Sequence, residues 1–154
     1  LERELYNSGI LCRILDGDNI RTGINNNLGF TETDRVENIR RIAEVAKLFV
    51  DCGVVTIAAF ISPTEQIRQM AADIIGKDDF FEIYVNTPLE ICEERDVKGL
   101  YKKARQGEIK NFTGISAPFE APLNPAITID TSACSLEESV NLLKKIIIPQ
   151  IKPI

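Results

Sequence analysis

The chain has 154 residues, of which 44% are hydrophobic and 27% charged, a balance typical of one globular domain with a buried core. Its net charge of −5 argues against general nucleic-acid binding, and its apolar runs are too short for a membrane-spanning helix. It has no histidine, and its four cysteines form no C-x-x-C pair, which argues against a zinc site and against Ser-His or Cys-His catalysis and predicts reduced thiols in the cytoplasm.

The hydrophobic pattern alternates between strands and helices, which indicates an α/β fold with a parallel sheet and helices on both faces, in a single domain over residues 1–154. In chain order we predict a helix over residues 1–8, a strand over 10–15, a helix that begins after Thr31 and ends at Gly53, and a strand over 54–61. A helix that Ser62 caps follows and ends near Ile75, and after it come a strand over 81–85 and a helix with Pro88 at its first position. The remaining elements are a mobile loop or lid over 98–114, a strand over 126–129, and a helix that Ser135 caps and Pro149 ends.

Two of these elements make sharper predictions about burial. The run over residues 54–61 is apolar apart from Thr56, as expected for a strand that is buried on both faces. The helix after Thr31 places six apolar side chains on one face, namely Val36, Ile39, Ala43, Ala46, Phe49 and Val50.

Two carboxylates follow the first predicted strand, in the sequence Asp-Gly-Asp-Asn at residues 16–19. Gly17 has no Cβ and predicts a sharp turn between them. The carboxyl ends of parallel strands are where α/β enzymes bind ligands, so Asp16 and Asp18 are candidate site residues. The alternative is an ordinary turn after a strand, where Asp, Gly and Asn are common.

Arg35, Asn38 and Arg41 share one face near the start of the long helix, at i, i+3 and i+6 spacing. Two cations and an amide near a helix start suit a sulfate or a phosphate. The alternative, slightly favoured by spacing alone, is a solvated face paired with Glu37 and Glu44.

The lid segment is locally positive in an acidic chain. It contains Lys98, Lys102, Lys103, Arg105 and Lys110. A solvated loop explains these charges, but so does a lid that closes on polyanionic ligands with Gly99 and Gly107 as hinges.

Two phenylalanines lie in polar surroundings. Phe112 is better placed to stack on a base than to join a core, and Phe30 offers a similar ring. Phe30 could equally pack on the following helix as a hydrophobic staple. Ser62 follows the apolar strand over 54–61 and is a candidate nucleophile, but no base is near it in the sequence, so we favour a helix cap.

Taken together, the motifs resemble those of the adenylylsulfate kinases (APS kinases) over nearly the whole chain, in order and at family-like spacing. The matching stretches are DGDNIR at 16–21, LGF at 28–30, RVENIRR at 35–41, FISP at 60–63, ERDVKGLY at 94–101 and GEIKNFTG at 107–114. The resemblance implies a P-loop NTPase-like three-layer α/β sandwich. It also implies transfer of the γ-phosphoryl group of ATP, with Mg²⁺, to the 3′-hydroxyl of adenosine 5′-phosphosulfate.

The resemblance further implies roles for individual residues. Asp16 acts near the 3′-hydroxyl, as a base or through Mg²⁺, and Ser62 matches a serine described in some members as a phosphoserine intermediate. Phe30 and Phe112 sandwich the adenine of the substrate. Substrate contacts come from Asp18, Asn19, Ile20, Arg21, Arg35, Asn38, Ile61, Ser62, Lys98 and Asn111. Arg95 and the segment around Cys134 lie by the adenine of ATP.

The family's P-loop motif, G-x-x-x-x-G-K-[ST], does not occur in the 154 residues. We expect it, with the family's first strand, to precede Leu1 in a longer chain, because its absence leaves two strand edges open inside the core. If the 154 residues are the whole protein, we expect weak ATP binding and little kinase activity.

Two alternative functions remain open. One is a non-catalytic, truncated kinase module that binds adenylyl ligands or a partner domain, and the other is a P-loop kinase that acts on a nucleoside or sugar. The resemblance implies a homodimer, and a sulfurylase is a further candidate partner. No nucleic acid or membrane is expected as a partner, and no resident metal is expected.

Overall fold

The computed structural model describes residues 1–151 and has the predicted alternation of strands and helices. In these residues the strands are β1 (Cys12–Asp16), β2 (Val55–Ala59), β3 (Ile83–Val85) and β4 (Ile127–Ile129). The helices are α1 (Glu2–Asn7), α2 (Gly17–Thr22), α3 (Glu32–Asp51), α4 (Glu65–Ile75), α5 (Leu89–Arg95), α6 (Leu100–Arg105) and α7 (Leu136–Ile147), and a 3-10 turn over Ile148–Gln150 contains Pro149. None of these helices is long and apolar enough to cross a membrane.

The strands form two parallel pairs, as the alternation of strands and helices predicts. β1 pairs with β2, with Cys12 opposite Val55, and β3 pairs with β4, with Ile83 opposite Ile127. β2 and β3 are not bonded to each other, and both line a cavity of about 740 Å³. These are two open strand edges of the kind that the family resemblance implies.

β2 is less buried than its sequence predicts. Its first three side chains are half-buried, and Ala58 and Ala59 are exposed. The expectation of burial on both faces is therefore wrong. One edge of β2 faces the cavity instead of another strand, so solvent reaches side chains that a continuous sheet would cover.

The core lies where α3 packs against α4 and the β1–β2 pair. One cluster joins Ile39 and Ala43 of α3 to Ile67 and Ala71 of α4. A second cluster consists of Leu15, Ile42 and Ala46, and Phe60 contacts both clusters. The predicted face of α3 is thus correct at its centre. Ile42 belongs to it, whereas Val36 is 37% exposed and lies outside both clusters.

Local hydrogen bonds set the helix starts. The Thr31 hydroxyl accepts a bond from the Asp34 amide, and Ser135 and Glu138 form a full capping box, as predicted. Ser62 is not the cap of α4. Pro63 separates it from the helix, and the Thr64 hydroxyl accepts the Ile67 amide instead.

Two smaller expectations also need correction. Pro88 lies at the N-cap of α5, one position before the predicted first turn. The segment over 98–114 is not all loop, since it contains α6. The Asp96 carboxylate accepts bonds of 3.0 Å from the amides of Tyr101 and Lys102, which caps this short helix.

We expect Ile42→Ala to lower the free energy of unfolding by about 2–5 kcal/mol, because it leaves a void in a side-chain cluster that is almost fully buried. Leu48→Ala is the matched control, since Leu48 lies on the same helix and is 67% exposed. The control should change stability by no more than about 0.5 kcal/mol. Urea unfolding of both variants makes the comparison, and equal effects would show that the packing of α3 is misplaced.

Candidate active site

Asp16 ends β1 and also caps α2. Its Oδ1 accepts bonds from the amides of Asp18 at 3.0 Å and Asn19 at 3.3 Å, while its Oδ2 bonds to none of residues 1–151. Gly17 is the first residue of α2, so the chain passes from strand to helix between the two acids. A Cβ at this position would lie 3.4 Å from the Phe60 ring, so the ends of β1 and β2 lie close together here.

Lys98 brings the lid segment to this strand end. It follows α5 in the chain, and its ammonium group pairs with the exposed Asp18 carboxylate. The bond to Asp18, followed by the charges of Asp18 and Asp16, raises the pKa of Lys98 above its ordinary value. The predicted acidic pair and the predicted lid cation therefore lie together.

Arg21 and Phe30 form the next part of the site. The Arg21 Nη1 donates to the carbonyls of Leu28 at 3.1 Å and Gly29 at 2.9 Å, which places its guanidinium carbon 4.4 Å from the centroid of the Phe30 ring. The Phe30 side chain is 59% exposed. The ring is therefore available to a ligand and is not buried against α3 as a hydrophobic staple.

Arg35 joins α3 to the end of the lid segment. Its Nε donates to the Phe30 carbonyl at 3.2 Å, its Nη1 to the Thr113 hydroxyl at 2.9 Å and its Nη2 to the Asn111 carbonyl at 2.6 Å. Burial lowers the pKa of Arg35, and the charge of Arg21 lowers it further. Among residues 1–151, neither Arg21 nor Arg35 is paired with a carboxylate.

Phe112 lies in a tight turn beside these contacts. Its ring packs edge-on against Tyr101, with the ring centroids 5.1 Å apart. Asn111 has a left-handed backbone at φ 56°, which aims its carbonyl at Arg35. Both predicted stacking rings therefore lie on segments that Arg35 contacts.

The helical face of Arg35, Asn38 and Arg41 does not act as one unit. Arg41 donates to Glu37 at 2.8 Å, so the ion-paired alternative is correct for Arg41, whereas Arg35 has no carboxylate partner among residues 1–151. Arg40, beside this face, also pairs with Glu37. The bonds from Arg40 and Arg41 lower the pKa of Glu37 to about 2. Asn38 is buried, and its Oδ1 accepts a 3.0 Å bond from Asn25.

Three residues that contribute to this geometry carry no prediction from the sequence. Asn25 is fully buried beneath α3, Tyr101 packs on Phe112, and Thr113 bonds to Arg35. Thr113 and Tyr101 fall inside family-like motifs, which is a signal that they are close to the site. Asn25 belongs to a run of three asparagines, and nothing in the sequence distinguishes the buried one.

The other predicted residues lie nearby or on the second strand pair. The Ile20 side chain packs on the core beside Leu15, and Ile61 and Ser62 follow β2, with the Ser62 carbonyl bonded to Arg68. Arg95 donates to the hydroxyl and the carbonyl of Thr131, both at 2.8 Å. The Cys134 amide donates to Asp130 in the same turn after β4, so the structure brings Arg95 and the segment around Cys134 together.

Comparisons with known proteins agree with this geometry. The sequence model of the adenylylsulphate kinase family matches residues 1–130. An adenylyl-sulfate kinase of Bacteroides fragilis is 74% identical over 151 residues, which are 98% of this chain and 75% of that protein. A probable adenylyl-sulfate kinase of Bacillus subtilis is 54% identical over 143 residues, or 93% of this chain and 72% of that protein.

Solved structures give the same result. The APS kinase of Mycobacterium tuberculosis, in complex with AMPPNP and APS, is 43% identical and has a TM-score of 0.91, with 96% of this chain and 86% of that chain covered. The P-loop NTPase-like α/β fold is thereby confirmed. The chain belongs to the adenylylsulphate kinase family.

Proposed function

We propose that the protein transfers the γ-phosphoryl group of ATP to the 3′-hydroxyl of adenosine 5′-phosphosulfate, which gives 3′-phosphoadenosine 5′-phosphosulfate for sulfate assimilation. The observation that carries the proposal is the pair of neighbouring guanidinium groups on Arg21 and Arg35. Each bonds only to neutral acceptors among residues 1–151, and the rings of Phe30 and Phe112 lie on the adjacent segments. The relative solved with AMPPNP and APS supports the same two substrates.

The acceptor nucleotide fits the chemistry of this half of the site. Guanidinium groups bind phosphate and sulfate oxygens through charge-assisted bonds, so Arg21 and Arg35 take the phosphosulfate. Phe30 and Phe112 take the adenine between them. Asn38 is buried and Ile20 packs on the core, so these two act through position or backbone. The other proposed contacts are Asp18, Asn19, Ile61, Ser62, Lys98 and Asn111.

Asp16 is the proposed catalytic carboxylate. Two amides hold its Oδ1, which leaves Oδ2 free to accept the proton or orient the lone pair of the 3′-hydroxyl. Phosphoryl transfer depends mainly on positioning and charge neutralisation, so it needs no histidine.

Mg²⁺ enters with ATP as part of the co-substrate and neutralises charge on its phosphates. Residues 1–151 contain no group of three or more acidic, cysteine or histidine side chains that could hold a metal. Mg²⁺ on a nucleotide needs only one or two protein carboxylates, because phosphates and waters complete its coordination. The free Oδ2 of Asp16 fits that requirement.

The donor nucleotide is assigned to the second strand pair. We place the ATP adenine beside Arg95 and the turn around Cys134, where the β3–β4 pair ends. The segment over 98–114 is the proposed lid, since Lys98 and Asn111 tie its two ends to the acceptor side.

Three finer points stay predictions. Ser62 as a phosphoserine is one of them. A homodimer is another, and a solved APS kinase of Thiobacillus denitrificans, 25% identical to this chain, is described as hexameric. A sulfurylase partner is the third.

Binding and turnover together separate the candidate functions. The protein should bind adenylylsulfate about tenfold more tightly than adenosine monophosphate, because the sulfate adds acceptor oxygens for the two arginines. Calorimetry measures this preference, and a coupled assay with ATP and Mg²⁺ on the full-length gene product measures transfer. Equal affinities would favour a kinase for a nucleoside or sugar, and a preference without turnover would favour a non-catalytic module.

Asp16→Asn keeps the shape and the Oδ1 that accepts both cap bonds, but it removes the charge. We expect turnover to fall about 10²- to 10⁴-fold, as for loss of a general base, with only a modest loss of adenylylsulfate affinity. Asp51→Asn is the control, because Asp51 pairs with Lys47 at the far end of α3. Unchanged turnover in Asp16→Asn would remove Asp16 from this role.

Lys98→Gln tests the lid contact. If Lys98 exchanges Asp18 for a substrate phosphate, adenylylsulfate affinity should fall about tenfold. Lys77→Gln is the matched control, since Lys77 is an exposed lysine that pairs with Asp73 on α4. The same affinity in both variants would mean that Lys98 serves only its pair with Asp18.

A further inference from the structure

Arg35 contacts two segments that are far apart in the sequence. One is the segment just before α3, where the Phe30 carbonyl accepts a bond. The other is the turn over residues 111–117, here called the lid turn, where the Asn111 carbonyl and the Thr113 hydroxyl accept bonds. We propose that Arg35 is a positioning residue, a clasp that holds the Phe30 segment and the Phe112 turn at a fixed separation and so shapes the adenine pocket before any anion binds. This inference rests on the proposed function, in which the two rings flank the adenine.

A guanidinium group suits this task better than an ammonium group. Its N–H donors lie in a rigid plane, so one side chain reaches three acceptors on two segments at once. All three acceptors are neutral, so the positive charge of Arg35 is not cancelled. Arg35 can therefore hold the walls of the pocket and still attract the anionic end of the substrate.

The backbone conformation and the hydrogen bonds of the lid turn favour its contact with Arg35. Asn111 has the one left-handed backbone conformation among the non-glycine residues that the structure describes, and its carbonyl accepts the 2.6 Å bond. Just after it, the Phe112 carbonyl accepts bonds from the amides of Ile115, Ser116 and Ala117. Tyr101 then sets the angle of the Phe112 ring. Arg35 thus holds the backbone just before Phe112, and the hydrogen bonds within the turn hold the backbone just after it.

An uncharged ligand distinguishes a clasp from a simple anion contact. If Arg35 only binds the phosphosulfate, its replacement weakens adenylylsulfate but leaves adenosine binding unchanged. If Arg35 positions the rings, adenosine binding weakens too, although adenosine carries no anion.

Four variants make the test. Arg35→Lys keeps the charge but loses the planar fork, Thr113→Val removes one acceptor without touching the cation, and Thr113→Ser keeps that acceptor. Arg40→Lys is the control, because Arg40 lies on the same helix and pairs with Glu37 and Glu44. Calorimetry with adenosine and with adenylylsulfate, and amide hydrogen exchange without ligand, are measured for each variant.

We expect adenosine affinity to fall about tenfold in Arg35→Lys and about threefold in Thr113→Val, as for the loss of one or two hydrogen bonds. Exchange at the amides of residues 114–117 should accelerate in both variants, while exchange in α4 stays unchanged. Thr113→Ser and Arg40→Lys should behave like the unsubstituted protein.

Unchanged exchange at residues 114–117 in both Arg35→Lys and Thr113→Val would overturn the clasp, as would adenosine affinities equal to that of the unsubstituted protein. Faster exchange in α4 as well would mean general destabilisation and would also overturn it. The proposed function fails separately, if the unsubstituted protein does not prefer adenylylsulfate to adenosine monophosphate. In that case the exchange measurement still decides whether the clasp exists.

Discussion

The structure depends on the burial of one stripe of α3 between α4 and the β1–β2 pair. Ile39, Ile42, Ala43 and Ala46 are each at least 95% buried along this stripe. Burial of such side chains fixes the rotation of the helix about its axis, because any other rotation would expose them to water. That rotation decides where every other side chain of α3 points. It sends Arg35, at the N-terminal end, towards the lid turn.

Charge pairing separates the structural arginines from those of the site. In the described part of the chain, Arg40 and Arg41 share Glu37, and Arg68 lies buried between Glu65 and Glu82. These pairs use carboxylates of an acidic chain to neutralise cations locally. The candidate site keeps Arg21 and Arg35 without a carboxylate, and burial together with the charge of Arg21 lowers the pKa of Arg35. Two like charges held close together in this way are stabilised when an anion binds.

The two strand pairs carry different groups of the proposed site residues. The residues proposed to bind the acceptor lie at or beyond the carboxyl ends of β1 and β2, whereas Arg95 and the turn after β4, proposed for the donor, belong to the β3–β4 pair. No hydrogen bonds join β2 to β3 across the cavity. The segment over 98–114, the proposed lid, contacts the first pair and the start of α3 through Lys98 and Asn111, so it connects the two halves.

Much of the fold could be predicted from local sequence, and so could the candidate site. Hydrophobic periodicity and capping residues such as Thr31 and Ser135 identify most elements, because backbone preferences and burial patterns act over a few residues. Asp16 at a strand end indicates the candidate site for the same reason. Local patterns misplace the cap at Ser62, since Thr64 is equally suited to cap α4 and only the observed geometry chooses between them.

The sequence by itself determined the α/β class, the order of the motifs and therefore the family. The tertiary structure alone decided which side chains meet. Arg35 lies 76 residues from Asn111, and Lys98 lies 80 residues from Asp18. Helical spacing places Arg35, Asn38 and Arg41 on one face, but it cannot show that Asn25 covers one of them and a lid turn another. Such contacts form because packing brings distant segments together, and no pattern within either segment encodes its partner.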